Sequence, residues 1–358
     1  MSSLKELMVQ LDAIPGVSGD EELVATYIRE QMTHLVDEHY ADALGNQFFV
    51  KKGSHPELKL MLAAHMDEIG FIVQYIDEKG FVYVAPVGYH DSRMVINQIL
   101  TIHTEKGPVK GITAAGAHSV FVKPEMAEKA IALKDLHLDL GTRNKQETLE
   151  LGVKIGDYIT YDRVGQFLNG GSVFTGKAVD DRCGCAVIIE VMKRLAERQV
   201  VPTIYAVTTV QEEVGIRGAG PAAFNVQPDV ALAVDVALAG GMPGVEPRQM
   251  PIGFGEGPAI KFYDLVPQLT YGNNVPKKLT RRLVEVAEGN QIPYQREAML
   301  SGGTDGWAIS LTGKGAVTGC ISLPSRYIHS ATGCIHMDDL ENAVKLILAF
   351  IDSLHEQL

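Results

Sequence analysis

The sequence predicts an α/β protein, an open mixed sheet flanked by helices, with a small β-rich module inserted into it. Three observations carry this. From residue 164 onward, apolar strands alternate with amphipathic helices, the pattern of an open sheet covered on both sides. Upstream, "LKLMLAAHMDE" is apolar on both faces and ends in polar residues, as a buried parallel strand does. Between these lies a stretch of different texture, short runs of Val, Ile and aromatics separated by turn residues.

The elements follow in order. The polar N-terminus reads as helical, and "SGDEELVATYIREQMTHLV" shows apolar residues at helical spacing. Ser18 followed three residues later by Glu21 predicts a capping box at its start. After the buried strand, "GFIVQYIDEKGFVYVAPVGY" and "QILTIHTEKGPVKGITAAG" supply the β-rich module, which ends with two polar helical stretches and "VKIGDYITYDRV". Long elements then return. They are helix "DRCGCAVIIEVMKRLAERQ", strands "TIYAVTTVQ" and "DVALAVDVA", helix "PKKLTRRLVEVAEGN", strand "GAVTGCISL" and a final helix "MDDLENAVKLILAFIDSL". The expected organisation is one domain formed by residues 1–68 and 164–358, and an inserted module at 69–163.

Composition narrows the function. Of 358 residues, 46% are apolar and 21% charged, which suits a packed globular chain. Forty-four acids against 32 Lys and Arg give net charge −12 with no basic block, so nucleic acid and anionic membrane are not expected partners. The N-terminus shows neither signal peptide nor spanning helix, and the expected compartment is the cytoplasm. Cys183, Cys185, Cys320 and Cys334 form no C-x-x-C pair and read as ordinary buried thiols.

Polar residues concentrate where three strands end, in "LAAHMDE", "VTTVQEE" and "ALAVDVA", and open α/β sheets bind ligands beyond the carboxyl ends of their strands. Asp235 sits between Val234 and Val236 on a buried strand, where an uncompensated carboxylate is costly. Asp180 and Asp181 fall where a glycine-bearing loop enters a helix, and His329 follows the strand "GAVTGCISL". Taken one at a time, an aspartate before a helix is an N-cap and a histidine after a strand is a loop residue. Together, His65, Asp180, Glu213, Asp235 and His329 offer two imidazoles and three carboxylates, a donor set suited to a pair of catalytic divalent ions.

The ordered motifs "AAHMDEIGF", "TGKAVDDRCG", "TVQEEVGIRGAG", "SGGTDG" and "PSRYIHS" resemble the M42 family of dinuclear metallo-aminopeptidases across the whole chain. The inserted module resembles that family's PDZ-like dimerisation domain, within a zinc-exopeptidase-like fold. The resemblance implies that His65 and Asp235 hold one metal, Glu213 and His329 the other, and that Asp180 bridges them. It implies Glu212 as general base and Asp67 as the residue orienting ligand and base. The implied cofactors are two divalent ions per chain, zinc first, with cobalt or manganese as alternatives. The implied substrates are peptides with a free N-terminus, and the implied assembly is a dimer-based dodecamer. The motifs alone also fit a carboxypeptidase or a deacylase. Asp67 and Glu212 could serve as a metal-independent glycosidase pair, and a non-catalytic metal-stabilised scaffold is a third class.

Other residues are assigned to structure. Cys183, Cys185 and Trp307 are read as packing, His90, His103, His118, His137 and His336 as non-ligands. Lys261, in "GPAIKFYD", is expected to be an ordinary exposed lysine; facing the cleft, it would favour acidic side chains.

Overall fold

The computed structural model describes residues 3–114, 132–266, 271–300 and 302–355. Helices α1 (Leu4–Ala13) and α2 (Glu22–Met32) open the chain, followed by strands β1 (Glu38–Ala41), β2 (Gln47–Lys51) and β3 (His55–His65). Next come β4 (Gly70–Ile76), β5 (Val82–Val87), β6 (Ile99–Thr104), β7 (Gly107–Ala114), β8 (His137–Asp139) and β9 (Tyr158–Tyr161). The chain continues through β10 (Gln166–Leu168), β11 (Val173–Gly176), α3 (Val179–Leu195), β12 (Pro202–Thr209), α4 (Ala219–Val226) and β13 (Val230–Leu238). It closes with β14 (Ala259–Asp264), α5 (Lys277–Gly289), β15 (Gln295–Met299), α6 (Asp305–Leu311), β16 (Val317–Arg326), β17 (Gly333–His336) and α7 (Met337–Ser353).

The large sheet is mixed, in the order β1-β2-β12-β3-β13-β16-β17-β11-β10, with β14 and β15 branching from β16. Its centre, β12-β3-β13-β16, is parallel throughout. Successive residues of β3 feed opposite faces, as strand geometry requires. Leu60, Leu62 and Ala64 join the larger core beside apolar residues of α1, α2 and α3, while Met61 and Ala63 join the core with α4 and Ile309 of α6. With both faces covered, a continuous apolar run is the stable composition.

β4 to β9 form a closed barrel, in the order β4-β5-β8-β7-β6-β9, packed around Phe71, Val84, Leu100, Leu138 and Ile159. Closure leaves no unpaired strand edge. Of the two polar helical stretches expected at the end of the module, Lys145–Glu150 is a helix; the other falls largely at 115–131, outside the described residues, as does His118. No described helix is long and apolar enough to cross a membrane.

The capping box expected at Ser18 and Glu21 does not form. α2 begins at Glu22 without a side-chain cap, the Ser18 hydroxyl donates to Asp67 at 2.7 Å, and Glu21 accepts from the Gly19 and Gln211 amides. Burial beside Asp67 outcompetes the local cap. A capping box does occur one helix earlier, where Ser3 and Glu6 bond reciprocally at the start of α1.

Candidate metal centre

The candidate ligands gather towards the carboxyl ends of the central parallel strands, except Asp180, which follows the antiparallel strand β11 into α3. His65 is the last residue of β3 and Asp235 lies near the end of β13. β12 stops at Thr209 and Gln211 adopts a positive φ of 56°, so Glu212 and Glu213 lie on a turn rather than on a strand. That turn frees two adjacent side chains from the opposite-face rule. His329 follows β16, also at positive φ (56°). Asp180 and Asp181 occupy non-helical backbone in the first turn of α3, joined by a cis peptide bond.

Two groups of ligand atoms result. In one, His65, Asp180 and Asp235 bring donor atoms within 4.8 Å of one another; in the other, Asp180, Glu213 and His329 do the same. Asp180 belongs to both. Its two oxygens point to different histidines, Oδ1 lying 3.2 Å from His65 Nε2 and Oδ2 3.2 Å from His329 Nε2. Glu213 Oε2 is 3.3 Å from His329 Nε2, and its buried Oε1 finds no partner among the described residues.

The far sides of the rings are fixed by main chain. His65 Nδ1 lies 3.1 Å from the Asp67 carbonyl, and His329 Nδ1 lies 3.0 Å from the carbonyl of Tyr89, in the segment after β5. Each ring therefore turns Nε2 towards Asp180, the usual outcome when the other nitrogen donates to a carbonyl. The Asp67 carboxylate grips the glutamate turn. Its Oδ1 accepts the Glu212 amide at 3.0 Å and its Oδ2 the Glu213 amide at 3.1 Å. Asp181, as the chain enters α3, accepts from the Gly184 amide at 3.0 Å and from the His65 amide at 3.3 Å. The N-cap role weighed for this aspartate pair thus falls to Asp181, while Asp180 faces the histidines.

Charge is unbalanced here. Among the described residues, Asp67, Asp180, Asp181, Glu212, Glu213 and Asp235 gather around two imidazoles, and all six acids are largely withdrawn from water. Burial, joined by Asp235 and Glu213, pushes Glu212 well above the ordinary carboxylate range. Burial also raises Glu213 to about 7. His329 is opposed by burial, yet Glu213 and Asp180 lift it to about 9. A dry pocket with surplus carboxylates and an orphaned oxygen lacks positive charge. Oxygen and imidazole donors without thiolate fit borderline divalent cations, so these residues suit the proposed ions. Cys183 and Cys185 do not compete, since their Sγ atoms turn to Asp181 and to the His65 carbonyl.

The centre opens into a cleft of about 560 Å³, which Asp180, Glu212, Glu213, Asp235 and His329 all line. Lys261 corrects the expectation of an exposed lysine: only 3% exposed, it lines this cleft between Asp264 and Glu297, and the sequence carried no sign that β14 and β15 pair. Trp307 packs on Tyr271 with ring centroids 5.2 Å apart. His90 is buried between the Gly70 carbonyl and the Tyr161 hydroxyl, and His336 caps α7. Neither joins the two ligand groups.

Known proteins of the same kind share this arrangement of chain. A TET aminopeptidase from a marine-sediment Thaumarchaeota archaeon superposes with TM-score 0.94 at 34% identity, covering 98% of this chain and 96% of that one. The TET1 peptidase of Pyrococcus horikoshii, described as able to assemble into a tetrahedron or a large octahedral shell, superposes at TM-score 0.87 and 30% identity, covering 98% and 100%. The lysyl aminopeptidase of Pyrococcus furiosus is 32% identical over 98% of this chain and 97% of its own. Residues 45–346, which contain every candidate ligand, match the model of the M42 glutamyl aminopeptidase family, and the chain belongs to that family.

Proposed function

We propose that the protein is a dinuclear metallo-aminopeptidase that releases N-terminal residues from peptides. The observation that carries this is the pair of ligand groups sharing Asp180, its two oxygens directed at different histidines. In this reading His65 and Asp235 hold one ion, Glu213 and His329 the other, and Asp180 both. Two divalent cations, zinc first and cobalt or manganese as alternatives, would supply Lewis acidity and lower the pKa of water.

The chain's own residues do the rest. Glu212 stands beside the ligand set with Oε2 4.0 Å from His65 Nε2, and it is not among the ligand atoms that converge. Standing clear of the convergent ligand atoms, its carboxylate is placed to take a proton from the attacking water and hand it to the leaving amine. Asp67 holds Glu212 and Glu213 by successive amides, so base and ligand keep a fixed spacing. With both carboxylate oxygens engaged by amides and by Ser18, Asp67 is poorly placed to serve as a glycosidase acid. The match to the aminopeptidase family favours an aminopeptidase over a carboxypeptidase or a deacylase.

The barrel is read as the PDZ-like dimerisation module at 69–163, inserted into a catalytic domain of residues 1–68 and 164–358, and the assembly as dimers closing into a dodecamer. Support comes from the TET relatives and from exposed apolar residues on or beside the module, among them Ile99, Ile112, Ile155 and Val164. Light scattering showing only monomer at micromolar concentration would remove the assembly and leave the chemistry. The catalytic reading is tested with aminoacyl p-nitroanilides and their N-acetylated forms. Free-amine substrates should be cleaved, N-acetylated ones spared, and activity should vanish with a chelator and return with zinc, cobalt or manganese. Hydrolysis indifferent to the chelator, or equal on both substrate forms, would overturn it.

A further inference from the structure

The cleft holds a charge arrangement that the hydrolytic chemistry does not use. Lys261 and Glu297 are paired neighbours on β14 and β15, and the ladder through Ser322 places them on the same face of the sheet as Asp235. Both line the cleft and both are almost wholly buried, at 3% and 1% exposure. Lys261 Nζ lies 3.5 Å from Asp264 Oδ2 and 3.7 Å from Glu297 Oε2. Asp264 is further engaged by the Asn273 amide, whereas both oxygens of Glu297 lack any hydrogen-bond partner among the described residues. Around this trio the cleft is apolar, with Val236, Leu238, Val266 and Met299 in its walls.

One ammonium against two carboxylates leaves a net charge of −1, out of water and with three acceptors, Asp264 Oδ2 and both Glu297 oxygens, that have no hydrogen-bond partner among the described residues. An entering carboxylate would make three anions around one cation. A neutral side chain would leave Glu297 orphaned. A cationic side chain balances the group at two against two and brings the donors Glu297 lacks. Its methylene stem matches the apolar walls.

We infer that the cleft selects peptides whose N-terminal residue carries a cationic side chain, lysine or arginine, with Glu297 as the specificity residue. This rests on the aminopeptidase reading above. It also reverses the preference that Lys261 alone would suggest, because the lysine is already over-matched by its two partners.

The test compares kcat/KM of the metal-loaded full chain on Lys-, Arg-, Leu- and Glu-p-nitroanilide. Lys and Arg should exceed Leu by at least roughly tenfold, and Glu should be the poorest. Glu297→Gln should lower the Lys-to-Leu ratio by roughly 10- to 100-fold. Should that variant fail to fold in a thermal melt, Lys261→Met supplies the second arm; with the competing cation removed, the Lys-to-Glu ratio should rise. Wild-type preference for Glu or Leu, an unchanged Lys-to-Leu ratio in Glu297→Gln, or a falling Lys-to-Glu ratio in Lys261→Met would overturn the inference. Failure of the aminopeptidase reading looks different: none of the four substrates is cleaved, and the inference falls with it.

Discussion

Two buried charge clusters are assembled from the same stretches of chain. Asp12, Glu68, Lys177 and Arg182 form one; His65, Asp67, Asp180, Asp181, Glu212, Glu213, Asp235 and His329 form the other. Glu68 follows Asp67 directly, and Lys177 and Arg182 bracket Asp180 and Asp181. In the first, two acids meet two bases. Lys177 reaches Glu68 at 2.5 Å, and Arg182, wholly buried, donates to the carbonyls of Met66, Leu11, Ile14 and Gly16. In the second, six acids meet two imidazoles. Burial alone therefore does not mark a functional site. What marks it is a deficit of compensating charge inside the protein, which something from outside must supply.

The comparison breaks most sharply on the two neighbouring glutamates. Glu212→Gln should keep two metals per chain while turnover falls roughly 10²- to 10⁴-fold. Glu213→Gln should lose metal first and recover part of its activity in excess metal, and Asp180→Ala should weaken both sites. Elemental analysis beside single-turnover rates separates these outcomes; metal lost from Glu212→Gln and kept by Glu213→Gln would show the roles reversed.

In the balanced cluster the loss should fall on the fold instead. Glu68→Ala leaves Lys177 buried without its partner and should cost about 3 to 5 kcal/mol in denaturant melts of metal-free protein. Asp235→Asn, which removes charge from the unbalanced cluster, should leave the metal-free protein as stable as the parent or more so. A similar loss in both would erase the distinction.

The candidate ligand positions were readable as outliers in apolar surroundings, since strands buried on both faces are otherwise apolar and His65, Glu213 and Asp235 stood out against Val, Leu and Ala. The same logic failed for Glu297. It lies on a short strand between two exposed neighbours, Arg296 and Ala298, and only pairing with β14 gives its charge meaning. Ser18 was misread for a related reason: a local pattern promised a cap, and a partner 49 residues away took the hydroxyl. Barrel closure, too, is a matter of which strands pair, which alternating patterns leave open.

Removing metal should expose the deficit as a pH dependence. Glu213 is raised from 4.5 to about 7, so the folded chain holds a proton that the unfolded chain has released. Stability of the metal-free protein should consequently fall as pH rises from about 4 to 7. Metal-loaded protein should not show that decline. Differential scanning calorimetry of both forms across this range measures the contrast.

The smallest effects belong to neutral groups bordering the site. Ser18→Ala removes one donor to Asp67 and should cost about 1 to 3 kcal/mol. Cys185→Ala should cost about 1 kcal/mol and leave metal content unchanged. A loss of metal from Cys185→Ala would show that the thiol takes part.

Asp67 holds residues 212 and 213 by their amides, and every amino acid except proline presents the same amide. The shape of the turn is thereby decoupled from the identity of the side chains it displays. A designer could install other pairs at these two positions, a histidine with a glutamate or a cysteine with an aspartate, and expect each to emerge along the old vectors. The turn works as a socket with interchangeable fittings, and new chemistry could be tried there without redesigning the scaffold beneath it.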